Sequence, residues 1–297
     1  MKQLKVFTAF SGYDSQCMAL DRLGIDYDLV GWSEIDKYAI QAHNALYPQY
    51  AGRNYGDISK IDWAKVPDFD LFTYSFPCQD ISAAGKQRGL AEGSGTRSSL
   101  LWECQKAIEA KHPKYMVMEN VKALTQKKFL PYLNAWQDYL NGLGYSNFTK
   151  VLNAKDYGVP QNRERVFMVS VLAADEMFYF PEPLKLETRL KDVLEGNVDE
   201  KYYLSDRMLK GFIKTSECPT HGHCFTPKSG NDIAFTIRTA PGSRVDDNFI
   251  AEPKVIVNGN TNPSGHGMNG NVFSSEGIAP TLTTNKGEGP KITERRK

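Results

Sequence analysis

The sequence predicts an α/β protein with a mostly parallel sheet, followed by a smaller, loop-rich β region. Three observations predict it. From the N-terminus to about residue 184, apolar runs of strand length alternate with segments of helical period. The helical segments run to about ten residues or more, long enough for the crossovers that parallel strands require. Beyond residue 184 the helical period fades, and half of the chain's 24 glycines fall in the last 113 residues.

The elements follow in order. LKVFTAF (residues 4–10) reads as a strand, and SQCMALDRLG (15–24) as a helix stopped by Gly24. YDLVGWSE (27–34) is a second strand, and KYAIQAHNALYP (37–48) a second helix ended by Pro48. FDLFTYS (69–75) is a third strand, SLLWECQKAIEAKHP (99–113) a helix, and YMVMENV (115–121) a fourth strand. LPYLNAWQDYLNGLGY (130–145) is a further helix and RVFMVSVL (165–172) a late strand. After YYLSDRMLKGFIKT (202–215), short alternating runs lie between Gly, Asn, Pro and Ser clusters. One weak repeat, IAFTIRTAPG (233–242) and IAPTLTTNKG (278–287), is consistent with two similar hairpins. The expected division is therefore residues 1–184 and 185–297.

Bulk properties narrow the class. The chain has 297 residues, 41% hydrophobic and 24% charged, as in ordinary globular proteins. No run approaches the roughly 18 apolar residues of a membrane span. The opening MKQLKVFTAF lacks a signal-peptide pattern, so a cytoplasmic protein without a membrane partner is expected. Five cysteines argue against a disulfide framework. The net charge of +1 neither supports nor excludes a nucleic-acid partner.

Ligands of parallel sheets sit beyond the carboxyl ends of the strands, so the residues there matter most. The first strand runs into AFSGYDSQ, where Gly12 opens either a nucleotide-type turn or a plain strand-to-helix turn. The second ends in Glu34, 22 residues after Gly12, placed to accept hydrogen bonds from ribose hydroxyls. GDIS brings Asp57 to the next junction. No Lys or Arg stands nearby to grip a polyphosphate, which favours an adenosine cofactor such as S-adenosyl-L-methionine over NAD or ATP. Cys78, in YSFPCQDIS, is either a core thiol or a nucleophile on a loop that Pro77 stiffens. Glu119 follows four apolar residues and either caps the next turn or carries a proton. Arg163 and Arg165 share one side of an extended segment, as site residues or as an ion-pair ladder with Glu164.

Taken together, AFSGYDSQCMAL, SEIDKYA, GDIS, FPCQDISAAGKQRG, GTRSSLLWE, ENV and QNRERVF resemble, in order, the motifs of the DNA (cytosine-5)-methyltransferases of phage and restriction–modification systems. The resemblance covers about residues 6–169. It implies a Rossmann-like catalytic domain that binds S-adenosyl-L-methionine, and double-stranded DNA as substrate. It assigns catalysis to Cys78, Glu119, Arg163 and Arg165. It assigns the cofactor to Phe10, Gly12, Glu34, Ile35, Asp57, Ile58, Phe76 and Leu100. It places Gln79, Ser82 and Lys86 on a loop that closes over DNA, and it has Asn120 order the region of Glu119. The opening turn departs from the family pattern, with Asp14 and Ser15 where glycines are usual.

By the same resemblance the region from residue 185 is the target-recognition part, with Gly, Asn, Ser and Thr to meet bases and phosphates. CPTHGHC (218–224) has a spacing that matches no common zinc site, so no metal is expected. The family's usual C-terminal motifs, a helix and a return segment to the catalytic domain, are not found before residue 297. The same motifs would therefore also suit a truncated product, one subunit of a split enzyme completed by a second chain, or a non-catalytic DNA-binding remnant. A tRNA cytosine methyltransferase shares them too, but the long region after residue 184 favours sequence-specific DNA. A cognate restriction endonuclease is a further expected partner.

Overall fold

The computed structural model describes residues 3–77, 97–172, 177–196, 198–217, 224–237, 247–251, 257–260, 271–274 and 291–293. The chain divides into two compact units, Met1–Gly158 with Arg163–Leu186, and Val159–Asn162 with Glu187–Lys297.

The first unit is built on a six-stranded sheet: β1 (Leu4–Ala9), β2 (Tyr27–Ser33), β3 (Leu71–Tyr74), β4 (Tyr115–Val121), β5 (Tyr145–Asn153) and β6 (Glu164–Leu172), in the order β2-β1-β3-β4-β6-β5. Strands β2, β1, β3 and β4 are mutually parallel. β6 runs antiparallel to both β4 and β5. The sheet is thus mostly parallel with an antiparallel edge, an arrangement common in large mixed sheets. β5 is not expected from its sequence, YSNFTKVLN, because its residues are largely polar. It forms as an edge strand, paired along one flank with β6.

Both sheet faces are covered. Residues of α3 (Glu103–Lys111) and α4 (Leu130–Gly142), among them Ile108, Leu133, Trp136 and Leu140, pack with Phe7, Phe72, Tyr74, Met116, Met118, Val166 and Met168 in the larger core. On the other face α1 (Ser15–Arg22) and α2 (Lys37–Leu46) cover a smaller core of Val6, Cys17, Leu20, Leu29, Trp32 and Tyr47. The side chain of Asp36 caps α2 by accepting from the N–H groups of Tyr38 and Ala39. Gly24, in the left-handed region at φ 65°, follows α1 and turns the chain toward β2. No helix among the described residues is long and apolar enough to cross a membrane.

In the second unit, α5 (Asp206–Glu217) is amphipathic, and its Phe212 packs with Phe225 and Phe249. A three-stranded sheet joins β7 (Val257–Asn260), β8 (Asn271–Ser274) and β9 (Lys291–Thr293), antiparallel then parallel. Val159–Asn162 belongs to this unit through hydrogen bonds of Pro160 and Asn162 with Ala234. The repeated segments at 233–242 and 278–287 lie partly and wholly outside the described residues.

Candidate active site

Consecutive strand ends supply one half of the site. After β1 the chain enters a turn with Phe10 at φ 55° and Gly12 at φ 58°, and nothing lies within 4 Å of where a Cβ on Gly12 would stand. A positive φ at a bulky residue such as Phe10 is uncommon and marks a turn held by its surroundings. One such hold is Glu34, at the end of β2. Its Oε2 accepts from the Gly12 N–H at 3.0 Å, and its Oε1 accepts from the N–H groups of Ile35 and Asp36, each at 2.8 Å. A carboxylate accepts about four hydrogen bonds, so Glu34 fixes the turn and keeps acceptor capacity for a ligand.

Asn54 ties in the third junction. Its Oδ1 accepts from the N–H groups of Glu34 and Gly56, and its Nδ2 donates to the Glu34 carbonyl at 3.1 Å. Asp57 caps a short 3-10 turn, Ile58–Lys60, and the Ser59 hydroxyl and N–H hold its carboxyl below the usual range. Ile35 stands 72% exposed, an apolar side chain offered to solvent directly after Glu34. Ile58 and Phe76 are buried, and Phe10 and Leu100 pack partly buried against the same cluster.

The ends of β4 and β6 supply the other half. Glu119 lies within β4 rather than in a cap, and the antiparallel register sets Val121 opposite Arg165 and Glu119 opposite Phe167. Glu119 and Arg165 are therefore diagonal neighbours on one face, within reach of long side chains. Arg165 Nε stands 3.0 Å from Glu119 Oε1. Burial pushes the Glu119 carboxyl above the usual range, against the pull of Arg165 and Arg163 and a hydrogen bond with Ser75. The Glu164 carboxylate pairs with Lys122, whose Nζ lies 2.9 and 3.0 Å from its two oxygens, while the Glu164 carbonyl accepts from Arg165 Nη1 at 2.8 Å. The side chain of Asn120, 2% exposed, donates from Nδ2 to the Phe76 carbonyl at 2.9 Å and accepts from the Val121 N–H at 2.8 Å. It thereby ties β4 to the segment that follows β3. Asn153 Oδ1 accepts from the Arg163 N–H at 3.0 Å, and the Arg163 carbonyl accepts from the Ala154 N–H.

The structure thus brings Glu119, Arg163 and Arg165 together, and separately Gly12, Glu34 and Ile35. Cys78, Gln79, Ser82 and Lys86 lie outside the described residues, as do 218–223 of the Cys/His cluster. Asn54, Ser75 and Asn153 were not anticipated. Asn54 carries a faint signal, an Asn two residues before a Gly; the other two carry none.

Comparison with known proteins agrees with this architecture. The family described as C-5 cytosine-specific DNA methylase matches residues 4–272. The type II methyltransferase M2.ScrFI of Lactococcus lactis subsp. cremoris is 42% identical over 257 residues, which are 69% of this chain and 71% of that protein. The orphan methyltransferase M.SPRI of Bacillus phage SPR is 36% identical over 98% of this chain, which spans 66% of that relative's length. Among solved structures, the Entamoeba histolytica methyltransferase EhMeth superposes with a TM-score of 0.62 at 18% identity, over 78% of this chain and 70% of that one. The S. pombe Dnmt2 methyltransferase gives 0.58 at 19%, over 77% and 69%. These two likenesses speak for the fold alone, whereas the sequence matches settle the family: this chain belongs to the C-5 cytosine-specific DNA methylases and is by class a DNA (cytosine-5)-methyltransferase.

Proposed function

We propose that this chain transfers a methyl group to carbon 5 of cytosine at a specific sequence in double-stranded DNA, using Cys78 as a covalent nucleophile on a base flipped out of the duplex. The observation that carries this reading is the Glu119–Arg165 pair, a carboxyl raised by burial and held beside a guanidinium at the strand ends. Carbon 5 of cytosine is a weak nucleophile. Addition of the Cys78 thiolate to carbon 6 makes the ring an enamine, and a proton or hydrogen bond from Glu119 to ring nitrogen 3 stabilises that adduct. Arg165, with Arg163, faces the charge that develops near the cytosine oxygen. Loss of the carbon-5 proton and expulsion of the Cys78 thiolate complete the turnover. S-adenosyl-L-methionine, the family's cofactor, supplies an electrophilic methyl group when bound.

The residues of the first half fit that cofactor. Gly12 leaves open space, Glu34 keeps acceptor capacity for ribose hydroxyls, and Ile35 offers an apolar surface beside it. Phe10, Asp57, Ile58, Phe76 and Leu100 complete the proposed seat, and residues 9–15 contain no Lys or Arg for a polyphosphate. The first unit is then the catalytic domain and the second the target-recognition part, with Gln79, Ser82 and Lys86 meeting DNA. A cytoplasmic setting suits the free thiols of Cys17 and Cys104. The test is methyl transfer from labelled S-adenosyl-L-methionine to unmethylated DNA by the purified chain, beside Cys78→Ala and Glu119→Gln. Label on cytosine carbon 5 is expected, abolished by Cys78→Ala and lowered about 10²–10⁴-fold by Glu119→Gln. No transfer by a folded chain that binds the cofactor would overturn the proposal that this chain alone is active.

A further inference from the structure

Behind the turn at residues 11–14 lies a buried polar pair that the proposed chemistry does not use. Asp14 and His43 are each 0% exposed, and Asp14 Oδ2 lies 3.4 Å from His43 Nε2. Asp14 sits in the left-handed region, at φ 68° and ψ 59°, and closes the turn by donating its N–H to the Ser11 carbonyl at 2.9 Å. Its Oδ2 also accepts from the Thr8 hydroxyl at 2.8 Å, and its Oδ1 faces the Cys17 N–H at the start of α1. His43, on α2, stacks on Trp32 of β2 with ring centroids 3.7 Å apart and 21° between planes, and neither ring nitrogen has a hydrogen-bond partner. A buried imidazole with a carboxylate at ion-pair distance, and no hydrogen-bond partner among the described residues, is costly to keep unless the pair is held together.

We propose that Asp14 and His43 act as a coupled pair of positioning residues that sets the turn at 11–14 in its ligand-ready geometry. This rests on the reading of that turn as the S-adenosyl-L-methionine seat. The reasoning is spatial. Asp14 is two residues from Gly12, whose N–H is locked onto Glu34, and it closes the hydrogen-bonded turn that contains Gly12. His43 backs Asp14 from α2, the helix that begins just after Glu34. The left-handed backbone that a glycine would adopt freely is here held by a side chain with three anchors on β1, α1 and α2.

Removing one member leaves the other buried without its partner, a penalty that removing both avoids. Glycine keeps the left-handed backbone at position 14, and phenylalanine keeps the stacking on Trp32. We would therefore compare Asp14→Gly, His43→Phe and the double variant with the wild type. Binding of S-adenosyl-L-methionine and of its demethylated product would be measured by calorimetry, alongside thermal unfolding and the kcat and KM of methyl transfer. Each single variant is expected to weaken cofactor binding about tenfold or more, and the loss in the double variant to fall short of the two combined, because Thr8 and Cys17 lose Asp14 in either case but no imidazole is left stranded. The KM for cofactor should follow the affinities, with kcat at saturation little changed. Should a single variant not fold, Asp14→Asn, which tolerates the same backbone, takes its place with the same expectation. Wild-type affinity in folded single variants, or losses that simply add in the double variant, would overturn the coupling. A loss of melting temperature with affinity intact would reduce the pair to a structural role and equally overturn it. Absence of cofactor binding by the wild type itself would instead remove the seat on which the inference stands.

Discussion

At the scale of single residues, Glu119 is the group whose chemistry the protein alters most usefully. Burial raises its pKa, while Arg165 and Arg163 oppose the rise. The folded protein therefore holds the Glu119 proton more tightly than the unfolded chain does. That contribution to stability is fully present below the ordinary carboxylate pKa and is lost as pH rises through the raised value. Proton donation from Glu119 should fade over the same interval. Arg165→Ala removes the larger of the two opposing charges, so the Glu119 midpoint should move further up, and Arg163→Ala should move it the same way by less. Carboxyl carbon NMR titration of Glu119 reads this directly, and a midpoint that falls in Arg165→Ala would refute the account. Glu119, Arg163 and Arg165 draw attention in the sequence because each stands out from an apolar or extended setting, and the structure sets Arg165 beside Glu119, while Cys78 lies outside the described residues. The amide clamps of Asn54 and Asn153 were not, because their meaning lies in partners brought near only by the fold.

At the scale of elements, four parallel strands and four helices of the first unit were legible, since each carries its own hydrophobic period. β5 was not, because an edge strand of Ser146, Asn147, Thr149 and Lys150 draws its order from nine register positions with β6 rather than from its own composition. Nor was the reversed direction of β6 legible, for composition does not encode direction. β2 also holds an unanticipated constraint at Gly31. A Cβ there would stand 2.6 Å from the ring of Tyr55 and 2.7 Å from that of Phe7. The buried Phe7 ring has little room to retreat, because it already packs on Tyr55, Trp63, Phe69 and Phe72. Gly31→Ala should thus destabilise the protein by about 1–3 kcal/mol. Thermal unfolding checks this, and a melting temperature equal to the wild type's would contradict the packing argument. An isolated Gly inside a strand pattern is the signal that could have found it.

At the scale of the whole molecule, the distribution of buried side chains among the described residues is uneven. Nearly all of the described core belongs to the first unit, while Pro160, Leu190, Ala234 and Asp247 are the buried residues of the second among those described. Resistance to local opening follows buried contact. Native-state hydrogen exchange should therefore find its slowest amides in β1, β3, β4 and β6, with those of the largely exposed α5 exchanging faster; equal protection in α5 and these strands would contradict this. The mixed direction of the sheet carries a last consequence. Because β6 enters the sheet where β4 leaves it, Arg165 reaches Glu119 across 46 residues of sequence by a matter of parity. A slip of β6 by an odd number of residues would keep a sheet of six strands yet turn the guanidinium to the opposite face and present its neighbours instead. Length changes in the connection between β5 and β6 are thus a different kind of event from length changes inside β6. The first alters a loop, while the second rewrites which side chains the reaction would meet.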